Sequence, residues 1–148
     1  MIGLIQRVKR AQVVVGNETI SQIDSGILLL LGVEKKDTIS STQKLAKKMA
    51  NLRIFPDSEG KMNLSLLDIK GELLVIPQFT LVADTAKGNR PGFSNSAPPA
   101  LGKSLYDEFI EHFNSTYSAY TACKSGRFGA NMQVELVNDG PATFYLSV

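Results

Sequence analysis

The stretch Ile76–Leu81 joins a strand to residue types that can stabilise negative charge. The apolar segment ELLVI is typical of a buried strand, and Pro77 and a Gln-Phe-Thr triplet follow it. Proline has no backbone N–H, so a central strand tends to end at it and to leave the next N–H groups unpaired. Unpaired N–H groups can stabilise an oxyanion. Gln78, Phe79 and Thr80 are therefore candidate catalytic residues, and the alternative is that the aromatic ring only fills a core.

A second candidate is the tetrapeptide Asn138-Asp139-Gly140-Pro141, which separates the strand-like segments MQVELV and TFYLSV. Asp-Gly is typical of a hairpin turn. Pro141, however, stands where the returning strand would begin to donate backbone hydrogen bonds, and it has no N–H. The tetrapeptide is therefore either a hairpin turn or a rigid backbone feature with a function.

Side-chain catalysts are scarce in this chain. It has one histidine, His112, and one cysteine, Cys123. We expect His112 at the edge of a packed helix face and Cys123 in the core, and neither has an evident partner for a metal site. No phosphate-binding or dinucleotide fingerprint occurs, so no metal or cofactor is expected. These absences favour a binding module or an enzyme that uses backbone N–H groups.

Strands dominate the elements that would position these groups. IGLIQRVKRAQVVVGNETI predicts one bent strand or two strands, a Gly16-Asn17 turn and a short return, and GILLLLGV predicts a strand buried on both faces. LSLLDIKGELLVIPQFTL predicts a hairpin through Lys70-Gly71. Helices are predicted over Asp37–Asn51, capped by Asp37, Ser40 or Ser41, and over Pro99–Phe113.

The expected fold class is mixed α/β, a strand-dominated sheet or open β-barrel covered by two helices. Residues 1–148 suit one domain. The Gly- and Pro-rich segment 84–99 is either a linker or an ordered functional loop.

The net charge of +2 permits a nucleic-acid partner without demanding one. Basic residues cluster locally, although each cluster can equally be a solvated surface: Arg7, Lys9 and Arg10; Lys44, Lys47 and Lys48; Lys87 and Arg90; Lys124 and Arg127. No apolar run is of membrane-spanning length, and MIGLIQRVKR has the wrong order for a signal peptide. With a single cysteine, these features predict a cytoplasmic protein and no membrane partner.

Several longer segments resemble one known family from end to end: MIGLIQRVKRAQVVV, GILLLLGVEKKD, RIFPDSEGKMNLSL, PQFTLVADTAKGNRPGF and SGRFGANMQVELVNDGPATFYL. They are similar to the D-aminoacyl-tRNA deacylases, which hydrolyse D-amino acids from tRNA. The resemblance implies an ester hydrolase for chiral proofreading in translation, without a cofactor. It also implies aminoacylated tRNA as the substrate and a homodimer with active sites at the subunit interface.

The resemblance assigns roles to the strand-end residues. The family pattern Ser-Gln-Phe-Thr-Leu is Pro-Gln-Phe-Thr-Leu here, so Gln78, Phe79 and Thr80 match while Pro77 does not. The proline removes a hydroxyl and an N–H, which excludes a serine role at this position. An oxyanion site made of the Phe79 and Thr80 N–H groups is unaffected by this change.

The second family motif is a Gly-Pro pair with a cis peptide bond, matched by Gly140-Pro141. In the family it is a wedge that enters the active site of the other subunit and rejects L-amino acids. Glycine has no side chain to reject, so glycyl-tRNA is an expected further substrate. Arg7 matches an arginine that holds the wedge, although a surface cation is the alternative. Met132 is expected to line the pocket of the terminal adenosine or to be a core residue.

Four mechanistic interpretations remain open at this point. In the first, water attacks the ester, the two N–H groups stabilise the oxyanion and the neighbouring ribose hydroxyl relays protons. In the second, Thr80 is a covalent nucleophile, without an evident base. In the third, His112 serves a conventional hydrolase. In the fourth, the chain is a non-catalytic RNA- or nucleotide-binding β domain.

Overall fold

The computed structural model describes residues 1–148, and a six-stranded sheet is its central element. The strands are β1 (Ile2–Val15), β2 (Glu18–Ile23), β3 (Gly26–Gly32), β4 (Phe55–Pro56), β5 (Met62–Leu64), β6 (Glu72–Pro77), β7 (Cys123–Ser125) and β8 (Gln133–Ser147). The helices are α1 (Ile39–Asn51) and α2 (Pro99–Tyr117), with a 3₁₀ turn at Phe79–Val82. The predicted class, a strand-dominated barrel-like sheet with two helices, is confirmed.

β1 organises the sheet because it is long enough to pair with three neighbours. Residues 2–8 pair antiparallel with β3, residues 11–15 pair with β2, and β8 pairs along the other edge. β3 and β6 run parallel, and the strand order is β2-β1-β3-β6-β7. IGLIQRVKRAQVVV therefore forms one strand, and the predicted Gly16-Asn17 turn and the buried strand at GILLLLG are confirmed.

β3 and β6 are buried on both faces because each face meets a different core. Side chains alternate between the two faces of a strand. Ile27, Leu29 and Val75 join α1 and α2 in the larger core. Leu28 and Leu74 face the inner side chains of β1 and β2 in a smaller one. Because both faces of β3 and β6 are buried, the two strands hold the residues at their ends in fixed positions.

The N-cap of α1 is Thr38, and none of the predicted cap residues takes that position. Thr38 forms a capping box with Ser41, whose hydroxyl accepts a hydrogen bond from the Thr38 N–H at 3.3 Å. The prediction of Asp37, Ser40 or Ser41 as the N-cap is wrong, although Ser41 takes part in the capping box as the third helical residue. Asp37 is buried and binds the N-terminal ammonium group of Met1 at 2.6 Å instead.

α2 continues past its predicted end at Phe113 to Tyr117. The rings of these two residues lie with centroids 5.0 Å apart, which extends the buried stripe by one turn. Neither α2 nor any other helix is both long and apolar enough to cross a membrane.

The predicted hairpin around Lys70-Gly71 is wrong. Leu64 ends β5, which pairs with β4 and not with β6. The Asp68 carboxylate accepts hydrogen bonds from the Ser65 N–H at 2.8 Å and the Ser65 hydroxyl at 2.7 Å, which closes a turn. β6 then pairs in parallel with β3, so the apolar run is a buried strand, but its partner lies much earlier in the chain.

Candidate active site

β6 ends beside β3 at the predicted proline. Pro77 lies opposite Leu31, and the Gln78 N–H donates to the Leu31 carbonyl at 2.8 Å. The prediction that the Gln78 N–H is free is therefore wrong. Pro77 donates no hydrogen bond to β3, but the Gln78 N–H that follows it still reaches β3 and adds one more bond to the parallel ladder.

The N–H groups of Phe79 and Thr80 have no acceptor within the chain. They open the 3₁₀ turn, and the first N–H groups of a helical turn have no intrahelical partner. The first bond of this turn runs from the Leu81 N–H to the Gln78 carbonyl at 3.2 Å. Both residues are exposed, so two adjacent donors are available to a ligand at the end of a rigid strand.

The side chains around these donors provide contact surface without a base. The Gln78 amide donates to the Thr80 hydroxyl. An amide cannot take up a proton, so Thr80 lacks the activating base that a covalent nucleophile requires. The Phe79 ring is 62% exposed, with its centroid 5.2 Å from that of Phe93. Phe79 therefore does not fill the core, and its ring offers a surface for stacking.

A cleft of about 540 Å³ opens beside the strand end. This volume lies within the range of small-molecule sites. Most of the lining is apolar, and Met132, Phe128 and Tyr106 contribute to its walls. The Tyr106 hydroxyl donates to the Val75 carbonyl at 2.8 Å. Burial raises the pKa of Tyr106, so this wall is uncharged.

No carboxylate, imidazole, amine or thiol lines the cleft. His112 lies on α2 outside it, where its carbonyl accepts from Ser115. Cys123 is buried, and burial raises the pKa of its thiol to about 12. No group of three or more His, Cys, Asp or Glu side chains could hold a metal ion. The cleft therefore lacks the usual side-chain bases and thiols, and its polar groups besides backbone donors are hydroxyls and amides, those of Gln78, Ser96, Tyr106 and Asn131.

Gly140-Pro141 lies in a bulge in the middle of β8, at residues 139–142, which we call the Gly140-Pro141 loop. Asn138 lies opposite Val8 and Thr143 lies opposite Gln6, so β8 continues along β1 on both sides of the loop. The residues between them exceed what the opposite strand can match, and they bulge outwards. The flanks do not pair with each other, so the hairpin interpretation is wrong. The Gly140-Pro141 bond is cis, and both residues are exposed.

Side-chain hydrogen bonds close the base of this loop. The Asn138 side-chain Oδ1 accepts from the Ala142 N–H at 2.7 Å, and its Nδ2 donates to the Thr143 hydroxyl at 3.0 Å. The Arg7 Nε donates to the Asp139 carbonyl at 2.9 Å. The loop backbone is thus fixed from both strands that flank it.

Arg7 is a buried support and not a surface cation. Its side chain is 10% exposed, and its Nη1 donates to the Ile54 carbonyl at 2.6 Å. Gly140 has a φ of +133°, and a Cβ there would lie 2.9 Å from the Arg7 Nη2. Glycine is required at this position by backbone conformation and by the close approach of the guanidinium.

One chain does not bring the two groups of candidate residues together. Arg7 lies opposite Ile27 near the start of β3, whereas Gln78 is bonded to Leu31 near its end. Four residues of extended strand span about 13 Å. Gly140-Pro141 and the free N–H groups therefore lie towards opposite ends of β3, and Met132 lies with the N–H groups.

A model of the D-Tyr-tRNA(Tyr) deacylase family matches residues 4–147. The chain belongs to this family. A D-aminoacyl-tRNA deacylase from Pseudoalteromonas atlantica is 58% identical over 148 residues, which cover 100% of both chains. Another from Thermosipho africanus is 53% identical over 146 residues, covering 99% of this chain and 96% of its own. The predicted resemblance and the hydrolase class are confirmed.

Two solved structures share the fold of this family member. The "c-Myc DNA Unwinding Element Binding Protein" matches with a TM-score of 0.94 and 41% identity, covering 100% of this chain and 99% of the other. A structure described as a probable eukaryotic D-amino acid tRNA deacylase matches with a TM-score of 0.76 and 16% identity, covering 98% of both chains. The second likeness concerns the fold alone.

Sequence analysis of this deacylase-family chain missed the residues that support the site. Asn138 carries a local signal, because Asn before a turn commonly bonds to the backbone of that turn. Ile54 and Tyr106 carry none, since each acts through a contact with a distant segment. Gly126 is similar: a Cβ there would lie 2.9 Å from the Met132 sulfur, which only the packed structure reveals.

Proposed function

We propose that the protein hydrolyses the ester that joins a D-amino acid to the terminal adenosine of tRNA, as chiral proofreading in translation. The observation that carries this proposal is the pair of unpaired N–H groups of Phe79 and Thr80 beside an apolar cleft. Ester hydrolysis passes through an oxyanion, which such donors stabilise. The family and the names of its members support the choice of substrate.

In the proposed mechanism, water attacks the ester carbonyl carbon and the carbonyl oxygen becomes an oxyanion. This oxyanion accepts hydrogen bonds from the Phe79 and Thr80 N–H groups. Collapse of the tetrahedral intermediate reforms the C=O bond and breaks the bond to the ribose oxygen. Because the cleft offers no base, the neighbouring ribose hydroxyl relays the proton from water to the leaving oxygen. The products are free tRNA and the D-amino acid.

The cleft is suited to the terminal adenosine. Met132 and Phe128 provide an apolar wall, and the exposed Phe79 ring lies at the entrance. Stacking of a base on an aromatic ring contributes about 1–3 kcal/mol. Binding the base here would place the ester next to the two N–H groups, with Gln78 holding the turn that presents them.

Chiral selection requires a second copy of the chain. The Gly140-Pro141 loop is exposed, and Arg7, which holds it, lies opposite a β3 residue about 13 Å along that strand from the residue that binds Gln78, so in a homodimer the loop acts in the partner's cleft. A D side chain points away from this loop, whereas an L side chain collides with backbone held by Arg7 and Asn138. Glycine avoids the collision, so glycyl-tRNA is a further substrate.

The direct test is deacylation of D-tyrosyl-, L-tyrosyl- and glycyl-tRNA by the purified protein, with its mass measured by sedimentation. We expect rapid release from the D and glycyl esters, slow release from the L ester, and a dimer of the 16.1 kDa chain. Equal cleavage of the D and L esters would contradict the role of Gly140-Pro141. Binding without cleavage of any ester would indicate a non-catalytic RNA-binding domain, and a discriminating monomer would contradict the shared site.

A further inference from the structure

A shallow basic groove runs along the second half of α1 and encloses about 580 Å³. We call it the α1 groove. It is lined by Lys44, Lys47, Lys48, Asn51, Leu52 and Arg53. The lining contains four cationic side chains and no carboxylate, so the surface is selective for anions by charge alone.

The four cations of the α1 groove are exposed, and none lies within 4 Å of a carboxylate. Hydrogen bonds from Ser65 and the nearby charge of Arg53 lower the pKa of the Asp68 carboxyl, so the three lysines are the cations free of an acidic neighbour. Two other basic clusters are partly neutralised, with Lys9 at 3.8 Å from Asp139 and Lys124 at 2.6 Å from Glu72. Lys44 and Lys48 are four residues apart on one helix face, where like charges repel. A bound anion would remove this repulsion.

The α1 groove lies near the end of the molecule that carries Gly140-Pro141. Ile54, the residue after Arg53, accepts a hydrogen bond from Arg7, and the same guanidinium donates to the Asp139 carbonyl of the loop. The Arg53 Nε also donates to the Asn63 carbonyl at 2.7 Å, which fixes its stem. The groove and the loop are therefore tied to one buried side chain.

We propose that the α1 groove binds the phosphate backbone of the tRNA acceptor arm. This inference rests on the proposed function, because the aminoacyl end must lie against the Gly140-Pro141 loop beside the groove. The tRNA held by the groove of one subunit is then the one whose ester enters the partner's cleft. The tRNA is therefore bound by the α1 groove of the subunit that supplies the Gly140-Pro141 loop, and not by the α1 groove of the subunit that supplies the cleft.

A phosphate backbone fits this surface better than a small anion or an acidic peptide. Lys44 on one helix turn and Lys47 and Lys48 on the next present separate point charges along a groove, which matches a row of phosphates. Phosphate contacts position a nucleic acid without reading its sequence. The groove therefore fixes the register of the acceptor arm, and the cleft and loop decide which ester is cleaved.

The test compares the Lys44→Gln/Lys48→Gln variant with a Lys35→Gln/Lys36→Gln control. Lys35 and Lys36 are exposed and unpaired, lie before α1 and outside the groove, and their loss changes the net charge equally. Affinity for uncharged tRNA is measured by fluorescence anisotropy over a range of salt concentrations. KM is measured with D-tyrosyl-tRNA and with the minimal ester D-tyrosyl-adenosine.

We expect the groove variant to bind tRNA roughly tenfold more weakly than the control, with the slope of log affinity against log salt reduced by about 2. The ratio of KM for tRNA to KM for the minimal ester should rise by the same factor. Equal weakening of both variants, or wild-type affinity in the groove variant, would overturn the proposal. Failure to cleave either ester, with tRNA binding still lost in the groove variant, would contradict the hydrolase function but not the groove.

Assignment to the partner's cleft is tested with mixed dimers. One subunit carries Phe79→Pro, which removes an oxyanion donor, and the groove variant is placed on either the same subunit or the other one. The proposal predicts the tRNA-specific KM increase only when the groove variant is on the subunit that also carries Phe79→Pro. An increase in the opposite arrangement alone would show that the groove serves its own chain's cleft.

Discussion

The end of β6 and the Gly140-Pro141 loop are built in opposite ways. At the end of β6, the Phe79 and Thr80 N–H groups have no partner. At the loop, Arg7 and Asn138 engage the surrounding backbone by hydrogen bonds at 2.7–2.9 Å. Unpaired donors can stabilise a charge that develops in a ligand, whereas a satisfied and fixed backbone can only exclude. Rate and chiral selection should therefore be separable by mutation.

The largest effect should follow from removing one free donor. Phe79→Pro deletes the Phe79 N–H at a position that tolerates proline, because Gln78 before it has a φ of −139° and Phe79 opens the 3₁₀ turn. We expect kcat to fall by about 10²–10³-fold relative to Phe79→Ala. Phe79→Ala loses the same ring but keeps the N–H, so single-turnover rates of the two variants isolate the donor.

The rates of the two Phe79 variants decide whether the end of β6 supplies the oxyanion donor. If Phe79→Pro and Phe79→Ala react equally fast with matched folding by circular dichroism, the Phe79 N–H does not hold the oxyanion. A large loss in both variants would instead assign the effect to the ring, and the cleft would need a different catalytic group.

The next largest effect is expected from Arg7→Met, which removes the hydrogen bond that Arg7 donates to the Gly140-Pro141 loop. This change leaves the Asp139 and Ile54 carbonyls without their donor and should cost about 2–3 kcal/mol of unfolding free energy. The D-to-L rate ratio should fall more than the rate on the D ester. Urea denaturation and paired deacylation assays measure the two effects, with Arg7→Lys as an intermediate control. An unchanged ratio in a destabilised Arg7→Met would limit Arg7 to a role in folding.

Sequence patterns predicted the end of β6 better than the loop. The apolar run before Pro77 and the missing N–H of that proline are local properties, and they correctly indicated a strand end. The partner of the Gln78 N–H was not predictable, because Leu31 lies in a strand far along the chain. The bulge in β8 escaped prediction for the same reason, since it depends on register with β1.

The family motifs indicated the site residues but not their geometry. Gln78, Phe79 and Thr80 were identified as one group and Gly140-Pro141 as another. The resemblance implied that the second group serves the other subunit, but it gave no indication of how far apart one chain holds the two groups. Separation along a sheet follows from strand pairing, which neither periodicity nor motif spacing contains. The α1 groove was predicted in part: its lysines form a cluster in the sequence, but only the fold shows that they take part in no ion pair.

A smaller effect should come from a substitution that crowds the cleft and changes neither the end of β6 nor the Gly140-Pro141 loop. A Cβ on Gly126 would lie 2.9 Å from the Met132 sulfur and 3.2 Å from the Ile76 Cδ1, so Gly126→Ala should push Met132 into the cleft. We expect KM for D-tyrosyl-tRNA to rise about five- to tenfold, since overpacking typically costs about 1–3 kcal/mol. Steady-state kinetics should show a smaller change in kcat.

A double variant tests the cause of this increase. Adding Met132→Ala to Gly126→Ala frees the space again, so the two changes should be less harmful together than their separate effects predict. Additive losses would mean that Met132 does not mediate the effect of Gly126, and that the cleft wall is arranged differently around the bound adenosine.

The unfolding free energy should depend on pH in alkaline solution because of the buried Cys123 thiol. Burial raises the pKa of the Cys123 thiol to about 12 from its usual value, so above about pH 9 the unfolded chain loses a proton that the folded chain retains. Stability should then fall with rising pH, by up to about 1.4 kcal/mol per unit. Cys123→Val should remove this part of the slope in denaturation curves between pH 9 and 11, and an unchanged slope would show that the thiol is not its source.

The smallest effect should come from an exposed cation that shares its end of the sheet with Arg7. Lys124 is 41% exposed and lies 2.6 Å from Glu72, and exposed ion pairs contribute about 0–1 kcal/mol. Burial raises the pKa of Glu72, but the bonds from Lys124 and the Asp24 N–H outweigh it and lower the pKa overall. The contribution of the pair is therefore present above the usual pKa and is lost as the pH falls through the lowered value.

Lys124→Met should thus destabilise the chain by less than about 1 kcal/mol at pH 7 and by less still in acid. The comparison with Arg7→Met is the informative one, because both changes remove a cation near the same end of the sheet and differ in burial. Equal losses of unfolding free energy in urea would show that burial of the Arg7 donor adds nothing to stability. A loss several-fold larger for Arg7 would assign the difference to its buried hydrogen bonds to the Asp139 and Ile54 carbonyls.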